Sequence, residues 1–418
     1  MEKPSIDAEL SATHPDRAQT RSEPTTISQR LVLIMAFVCA VSAANLYYIQ
    51  PLLAVMRHGF GVSAGQMGAI PTILQIGYAL GLLLIVPLGD YYNQRSLILS
   101  MLILVALALA AMASAPTLFF LGLAGAFVGL TTVVPQLILP YAANLAPAPI
   151  RGRVLGTIMS GLLIGILLAR TVSGALAAWL GWRAMYWIAA IMMILLAVGL
   201  RFLLPPDPMP KGKMNYLQLL RSLWHLARTQ PALRETSLFG AMTFGAFSAF
   251  WVTLSFLLET PPYHFGSVVA GLFGLVGVAG ALMASVVGKF SDRYDARYAN
   301  GFTMLIALLA FIILWLFGYR LVGLIIGVIL LDLGAQGNLV ACQTRVYSLL
   351  EEARSRLNTV FMFSYFLGGS LGSLLGTLGW SIARWNGVCV AAILMLVVAF
   401  IVYFINSPEA RRRVMQDT

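Results

Sequence analysis

Charge is the scarcest property of this sequence. Only 10% of its 418 residues are charged, against about 25% in ordinary soluble domains, and 59% are hydrophobic. Cysteine is rare too. Cys39, Cys342 and Cys389 all lie in apolar runs, which excludes a disulfide framework and a cysteine-rich metal site. The four histidines are scattered, so no metal and no other cofactor is expected. This composition indicates an integral membrane protein.

Twelve apolar stretches are each long enough to cross about 30 Å of hydrocarbon as a helix. None alternates polar and apolar residues as a membrane β-strand does. The sequence therefore predicts an all-α membrane protein with spans near 31–54, 66–88, 96–114, 117–141, 154–179, 184–204, 236–259, 266–288, 300–318, 321–345, 358–380 and 387–405. The predicted domains are a disordered tail (1–30), a first bundle (31–204), a linker (205–235), a second bundle (236–405) and a final tail (406–418).

The positive charges are distributed unevenly over the segments between spans. With both termini in the cytoplasm, the inside segments carry 21 Lys and Arg residues and the outside loops carry 4. The positive-inside rule favours that orientation. The net charge of +11 is thus explained by a lipid bilayer as partner, and no nucleic acid is expected.

The two halves of the chain repeat each other. Asp90 and Arg95 follow span 2, and Asp292 and Arg297 follow span 8, each pair of equivalent residues being 202 positions apart. This spacing indicates two six-helix bundles related by duplication, a common construction of secondary transporters. Between them, residues 216–228 alternate apolar and basic side chains at helical spacing. The stretch is either an amphipathic helix on the inner surface or a solvated basic linker.

The loop after span 8 carries a more specific signal. Gly288 to Arg297 closely matches the G-x-x-x-D-R-x-x-x-R signature of the major facilitator superfamily, and the chain resembles that superfamily over nearly its whole length. The first-half copy has Tyr91 where Arg is usual. The resemblance implies a cytoplasmic gate formed by Asp90, Arg95, Asp292, Arg293, Arg297, Arg354 and Arg356. Within it, Asp90 and Asp292 are expected to act as latches, each facing the start of a helix in the opposite half.

Two further stretches resemble one branch of that superfamily, the bacterial drug/proton antiporters with their arabinose and purine-nucleoside efflux permeases. Asn45 to Leu53 is similar to the signature of their first helix. Gly161 to Gly174 stands in the place of their helix-five antiporter motif, with Arg170 where Pro is common. The resemblance implies a multi-pass protein of the bacterial inner membrane, expected to be a monomer, whose partners are protons and a small-molecule substrate.

By resemblance, spans 1, 4, 7 and 10 line a central cavity and spans 2, 5, 8 and 11 form the contact between halves. The predicted cavity residues are Asn45, Tyr48, Gln50, Thr132, Gln136, Phe247, Trp251, Gln336 and Gln343. Packing alone would also explain the aromatic stripe on span 7. Amides and phenols on an apolar wall suit a neutral or weakly polar organic molecule.

Two charges lie deep in apolar spans, Asp332 in span 10 and Arg170 in span 5. A charge at membrane depth is costly and usually functional. Asp332 would share one helix face with Gln336 and Gln343. We predict that Asp332 carries the proton and that Arg170 is its switchable partner. Alternatively, Asp332 only locks two helices together, and Arg170 reaches the interface or backbone carbonyls.

These features predict a proton-coupled transporter that exports a small organic solute, such as a drug, a sugar or a nucleoside-like compound, by alternating access. A solute/proton symporter and a non-transporting sensor of the same fold remain alternatives. An enzyme is not expected, because the sequence has no H-E-x-x-H motif and no cluster of His and carboxylates in a span. An ATP-driven pump would need a nucleotide-binding motif that the chain lacks.

Overall fold

A computed structural model describes residues 27–147, 149–205, 216–277, 296–350 and 353–406, and every regular element within them is a helix. In chain order these are α1 (Gln29–Ala44), a 3₁₀ turn (Gln50–Leu52), α2 (Leu53–Phe60), α3 (Ala64–Leu84), a 3₁₀ turn (Val86–Asp90), α4 (Gln94–Ser114), α5 (Leu118–Thr131), α6 (Val134–Leu145), α7 (Arg151–Leu180), α8 (Trp182–Leu203), α9 (Tyr216–Thr229), α10 (Pro231–Glu259), α11 (Ser267–Gly277), α12 (Ala296–Phe317), α13 (Leu321–Tyr347) and α14 (Arg354–Ile405). Nine helical segments in these ranges are long and apolar enough to cross a membrane. The all-α membrane architecture is confirmed.

Two of the predicted spans are broken helices. Span 1 divides because α1 ends at Ala44 and the chain forms only turns until a short 3₁₀ segment begins at Gln50, with Pro51 in its first turn. Span 4 divides in the same way between α5 and α6, with Pro135 in the first turn of α6. Proline has no backbone N–H and clashes with the preceding turn, so a helix tends to restart at it rather than run through it. The prediction of continuous helices at these two places was wrong.

The last two predicted spans lie in α14, which is one helix only by its hydrogen-bond pattern. Its backbone leaves the helical region at Ala383 and Arg384, so the chain turns there, between the predicted spans 358–380 and 387–405. Near the middle of the chain, α10 begins at Pro231, five residues before the predicted start of the second bundle. Asp292 and Arg293, and the second half of the predicted span 8, fall outside the described residues.

The amphipathic stretch between the bundles is the helix α9. Leu219, Leu223 and Leu226 are buried on one side, whereas Leu217 and Trp224 are exposed on the other. The hydroxyl of Tyr216 donates a 2.8 Å hydrogen bond to the carbonyl of Leu84 in the first bundle. The helical interpretation of this linker is confirmed.

The halves meet along two pairs of helices. Between α3 and α14, the amide of Gln75 donates to the hydroxyl of Ser373 at 3.0 Å. Between α7 and α11, the Thr171 hydroxyl donates to the Gly271 carbonyl at 2.9 Å. In sequence terms these are spans 2 with 11 and 5 with 8, so the contact predicted for those four spans is confirmed.

Within the second half, α10 and α14 pack almost backbone to backbone. A Cβ atom added at Gly372 would overlap the carbonyl oxygen of Gly245, and one at Gly376 would lie 2.8 Å from Cα of Ala249. Small residues repeating every fourth position allow membrane helices to approach this closely, which replaces the hydrophobic effect that lipid cannot supply.

Gly372→Ala tests this close packing. We expect a loss of about 1 to 3 kcal/mol of stability, because a carbonyl of α10 occupies the space that the new methyl group needs. Thermal unfolding in detergent measures the effect. Gly199→Ala is the matched control, since a Cβ there meets nothing within 4 Å. Equal melting temperatures for the two variants would contradict the packing.

Candidate functional site

A cavity of about 490 Å³ lies between the two bundles. Its lining comes from α1, the turn after α1, α3, α6 and α7 of the first half and from α10, α13 and α14 of the second. The polar and aromatic lining residues are Tyr47, Tyr78, Gln136, Phe244, Gln336, Gln343, Tyr347, Asn358, Tyr365 and Phe366. The described lining contains no Asp, Glu, Lys or Arg, so the wall of the cavity is neutral.

Aromatic rings from both halves form one side of this cavity. Phe244 and Tyr365 stack with ring centroids 4.1 Å apart and an interplanar angle of 14°. Tyr78, from the first half, meets Phe366 edge-on at 4.4 Å. Each such pair contributes about 0.5 to 1.5 kcal/mol beyond its buried area. The rings offer flat apolar surfaces, and the amides beside them offer hydrogen bonds.

A smaller cavity of about 220 Å³ adjoins the first and shares Gln136, Tyr347 and Asn358 with it. Its lining extends to Asp90 and Arg356, which lie at the end predicted to be cytoplasmic. Leucines of α9 cover part of its wall. The central cavity therefore continues towards the predicted cytoplasmic end.

Arg170 lies deep in α7 with only 1% of its surface exposed. Its Nε donates a 2.6 Å hydrogen bond to Oε1 of Gln50. The guanidinium carbon lies 3.9 Å from the ring centroid of Trp251 and 5.1 Å from that of Tyr47. A cation between two aromatic faces is attracted to both by their quadrupoles. One amide oxygen and these rings therefore hold the guanidinium.

Asp332 of α13 is fully buried, and neither of its carboxylate oxygens has a hydrogen-bond partner among the described residues. It interacts electrostatically with Arg170, but the two side chains form no ion pair with each other. Both side chains pack against the same helix, α11. A Cβ at Gly274 would be 3.0 Å from Cβ of Arg170, and one at Gly277 would be 3.0 Å from Oδ2 of Asp332.

At the opposite end of the cavity, ion pairs join the two halves. Arg57 of α2 lies 3.1 Å from the carboxylate of Glu259 at the end of α10, and His58 contacts the same carboxylate. The Arg57 guanidinium also lies over the ring of Phe256, 5.7 Å from its centroid. These contacts hold the predicted outer ends of the bundles together.

At the predicted cytoplasmic end, a second acid organises the C-terminal half. Glu235, at the start of α10, accepts hydrogen bonds from Arg297 at 3.1 Å and from Arg345 at 2.6 Å. The three residues belong to α10, α12 and α13. This cluster binds helices of one half to each other and does not cross to the other half.

A sequence profile of the Major Facilitator Superfamily matches residues 35–331. The chain belongs to this superfamily. It is 41% identical over 378 residues to the transporter YgaY of Escherichia coli O157:H7, across 90% of this chain and 96% of YgaY. It is 27% identical over 273 residues to the Chloramphenicol resistance protein of Streptomyces lividans, across 64% of this chain and 68% of that protein. Its fold is similar to the crystal structure of a bacterial homologue of the human lysosomal transporter Spinster, inward-facing and unoccupied, with a TM-score of 0.75 at 18% identity over 93% of this chain and 98% of that one.

Membership of the Major Facilitator Superfamily makes the protein a multi-pass membrane transporter. The family fold accounts for the duplication seen in the sequence and for the two pairs of helices that join the halves. That the space between the bundles binds a solute stays a prediction. The residues that line the cavity and those that surround Arg170 can be compared with the site residues predicted from the sequence.

The predicted cavity residues separate into two groups. Gln136, Gln336 and Gln343 line the cavity. The rest lie outside it. Trp251 and Phe247 contact Arg170 instead, with Phe247 at 5.8 Å, and so does Gln50. The others are buried in the first half: the Asn45 amide donates to the sulfur of Met193, Thr132 bonds to its own helix, and Tyr48 packs in the core.

The gate residues are also distributed over separate contacts. Asp90 faces the start of α14, because it shares a cavity wall with Ser355 and Arg356, as the resemblance implied. Arg95 instead donates to the carbonyl of Arg201, and Arg354 donates to that of Tyr347 at 3.0 Å. The role of these residues as a gate stays a prediction.

Sequence reasoning missed several wall residues. Tyr47 was passed over for its neighbour Tyr48, because a regular helix was assumed where the chain turns. Tyr365 and Phe366 lie in span 11, which is predicted to form part of the contact between halves and not to line the cavity. Away from the wall, the predicted linker (205–235) includes Glu235, although this residue lies in α10, which begins at Pro231. For Tyr47, the signal available in the sequence was Pro51, which follows the two adjacent tyrosines by three residues and disfavours a continuous helix there.

Glu259→Gln should favour the state in which the predicted outer end is open. The side chains of Arg57 and Glu259 are 24% and 31% exposed, so solvent screens the pair and its contribution is about 0.2 to 1 kcal/mol. The population of the outer-open state should therefore rise about 1.5-fold to 5-fold. Distances between spin labels on α4 and α12 at that end measure this population.

Glu235→Gln is the matched control for that experiment, because it removes an acid from the other end of the same helix. It should leave the outer distances unchanged. If both variants gave the wild-type distance distribution, the Glu259 ion pairs would have no role in holding the outer end closed.

Proposed function

We propose that the protein is a proton-coupled secondary transporter that exports a small, uncharged organic solute by alternating access. The observation that carries this proposal is the arrangement of Asp332 and Arg170. Both are buried, they have opposite charges, they come from different halves, and no ion pair joins them. A structural lock would be expected to pair them. A proton carrier needs a state in which they are apart.

The chemistry of Asp332 supports the carrier role. A buried carboxylate without hydrogen-bond donors is costly by several kcal/mol, and binding a proton removes the charge. An approaching guanidinium has the opposite effect, because it stabilises the ionised carboxylate. At 4 Å and an effective dielectric constant of about 20, the attraction is about 4 kcal/mol. Movement of Arg170 towards Asp332 would therefore expel the proton.

Relative motion of the halves supplies that movement. Arg170 is on α7 and Asp332 is on α13, and both side chains lie against glycines of α11. Because Gly274 and Gly277 have no side chains, Arg170 and Asp332 pack directly against the α11 backbone. Rocking of one bundle against the other would change the separation of the charges, and the direct pair belongs to a different conformation from the one described here.

The neutral cavity supports an uncharged solute with a flat, apolar part. Rings such as those of Phe244 and Tyr365 can stack on it, and Gln136, Gln336 and Gln343 can bond to its polar groups. A charged solute would find no counter-charge in the described wall. A relative that covers 64% of this chain is a chloramphenicol resistance protein, which supports export of a compound of this kind.

Export also rests on the antiporter-like stretch that contains Arg170. In this proposal the transporter is a monomer in the bacterial inner membrane with both termini in the cytoplasm. Asp90 and Asp292 act as latches that hold the cytoplasmic side closed, because a carboxylate at the start of a helix is stabilised by about 0.3 to 2 kcal/mol. In the arrangement described here Asp90 and the start of α14 line the same cavity, but no hydrogen bond joins them among the described residues, so that latch would be released.

Transport into inside-out vesicles tests the function directly. Vesicles acidified inside should accumulate an uncharged aromatic solute and should not accumulate its cationic or anionic analogues. Collapse of the gradient with a protonophore should abolish accumulation. Uptake only into right-side-out vesicles with an inward proton gradient would assign the symport alternative instead, and absence of transport in either orientation would favour the sensor.

Asp332→Asn should abolish gradient-driven accumulation and retain solute exchange. The amide has the shape of the carboxylate but cannot release a proton, whereas the cavity wall is unchanged. Counterflow of labelled solute, measured without a gradient, reports the exchange. Gradient-driven accumulation at the wild-type level in this variant would exclude Asp332 as the proton carrier.

A double-mutant cycle tests whether Arg170 and Asp332 interact. Arg170→Ala should be more damaging with Asp332 present than in the Asp332→Asn background, because it leaves a buried carboxylate without compensation, at about 3 to 5 kcal/mol. Thermal stability and exchange rate are both measured for the four proteins. Additive effects in both would rule out a functional pair.

A further inference from the structure

We propose that Tyr47 is the positioning residue through which an occupied cavity acts on Arg170. This inference rests on the proposed proton coupling. Tyr47 lies in the turn between α1 and the 3₁₀ segment at Gln50, where no regular helix fixes the backbone. The Tyr47 side chain lines the cavity, and its ring also contacts the guanidinium of Arg170.

Tyr47 is in a unique position among the residues around the guanidinium. The described contacts of that group are the amide oxygen of Gln50 and the rings of Tyr47, Phe247 and Trp251. Of these side chains only Tyr47 also lines the central cavity. A solute in the cavity can therefore touch the environment of Arg170 through Tyr47 without meeting the charge itself.

Tyr47 and Gln50 belong to one short hydrogen-bonded segment. The backbone N–H of Gln50 donates a 3.2 Å hydrogen bond to the carbonyl of Tyr47, and the N–H of Tyr47 donates to Ala44 at 2.9 Å. The same turn thus supplies both a ring and an amide oxygen to Arg170. A solute that stacks against the Tyr47 ring would shift the turn, loosen both contacts and release the guanidinium towards Asp332.

The guanidinium can form a new contact because its hydrogen-bonding capacity is only partly used. Its Nη2 atom is buried and has no hydrogen-bond partner among the described residues, and both oxygens of Asp332 are in the same condition. A guanidinium and a carboxylate that both lack partners can satisfy each other with little other rearrangement. Binding of the solute would thereby be linked to loss of the proton from Asp332, as antiport requires.

Tyr47→Leu and Tyr47→Phe separate this role from that of a cavity wall. Both change the wall, and both can raise the half-saturation concentration for counterflow. Only Leu removes the ring beside Arg170. We expect Tyr47→Leu to lower the gradient-driven accumulation ratio at saturating solute by about 2-fold to 30-fold, the range of a cation–π contact, and Tyr47→Phe to keep the wild-type ratio. Tyr298→Leu, on an exposed face of α12, is the matched control and should leave both quantities unchanged.

Three results would overturn the inference: a wild-type ratio in Tyr47→Leu, an equal loss in Tyr47→Phe, or a change confined to half-saturation. If Tyr47→Leu does not give folded protein by gel filtration, Tyr47→Met has a similar volume without a ring and replaces it. Asp332→Asn, measured in parallel, separates this inference from the proposed function. Coupling retained in Asp332→Asn contradicts the function itself, whereas coupling lost there but intact in Tyr47→Leu contradicts only the role of Tyr47.

Discussion

Burial of the Arg170 guanidinium is the constraint on which the centre of this transporter depends. Arginine does not lose its proton in a protein, so the charge stays wherever the helix places it. The chain accommodates it with one amide oxygen and aromatic faces, and Asp332, the acid that could neutralise it, lies against glycines of α11 and forms no ion pair with it. These contacts therefore stabilise the buried charge, but they leave one guanidinium nitrogen without a hydrogen-bond partner among the described residues, so the side chain can form other contacts.

The break in the first span lies beside this charge. Tyr47 and Gln50 are three residues apart, which is only about 60° around a helix axis, so a continuous helix would also place them on one face. In the structure both contact the guanidinium from the turn after Ala44 and the 3₁₀ segment that begins at Gln50. Irregular backbone at membrane depth is tolerated where protein covers it, and the residues of this turn are buried.

The difference between what the sequence predicts and what it cannot is physical. Composition predicts the membrane-spanning helices and the 202-residue repeat predicts two bundles of them, because both depend on regular helices. Gln136, Gln336 and Gln343 were found for the same reason, since they lie in regular helices. Asn45, Tyr48 and Gln50 were grouped with them on the assumption of a continuous first helix. The residue beside them that does reach the cavity, Tyr47, is identified only when the turn is known.

The neutrality of the cavity constrains how a proton and a solute could exclude each other. In a site where both bind one carboxylate, exclusion is direct competition. Here the described wall has no charge, and Asp332 and Arg170 are not among its residues. In the proposed mechanism, exclusion would therefore be transmitted through residues that contact both sites. The coupling free energy comes from the contacts that differ between two conformational states. A flexible segment that contacts both sites is therefore sufficient to link them. A transporter built this way could accept varied uncharged solutes, because the residues that bind the solute are not those that bind the proton.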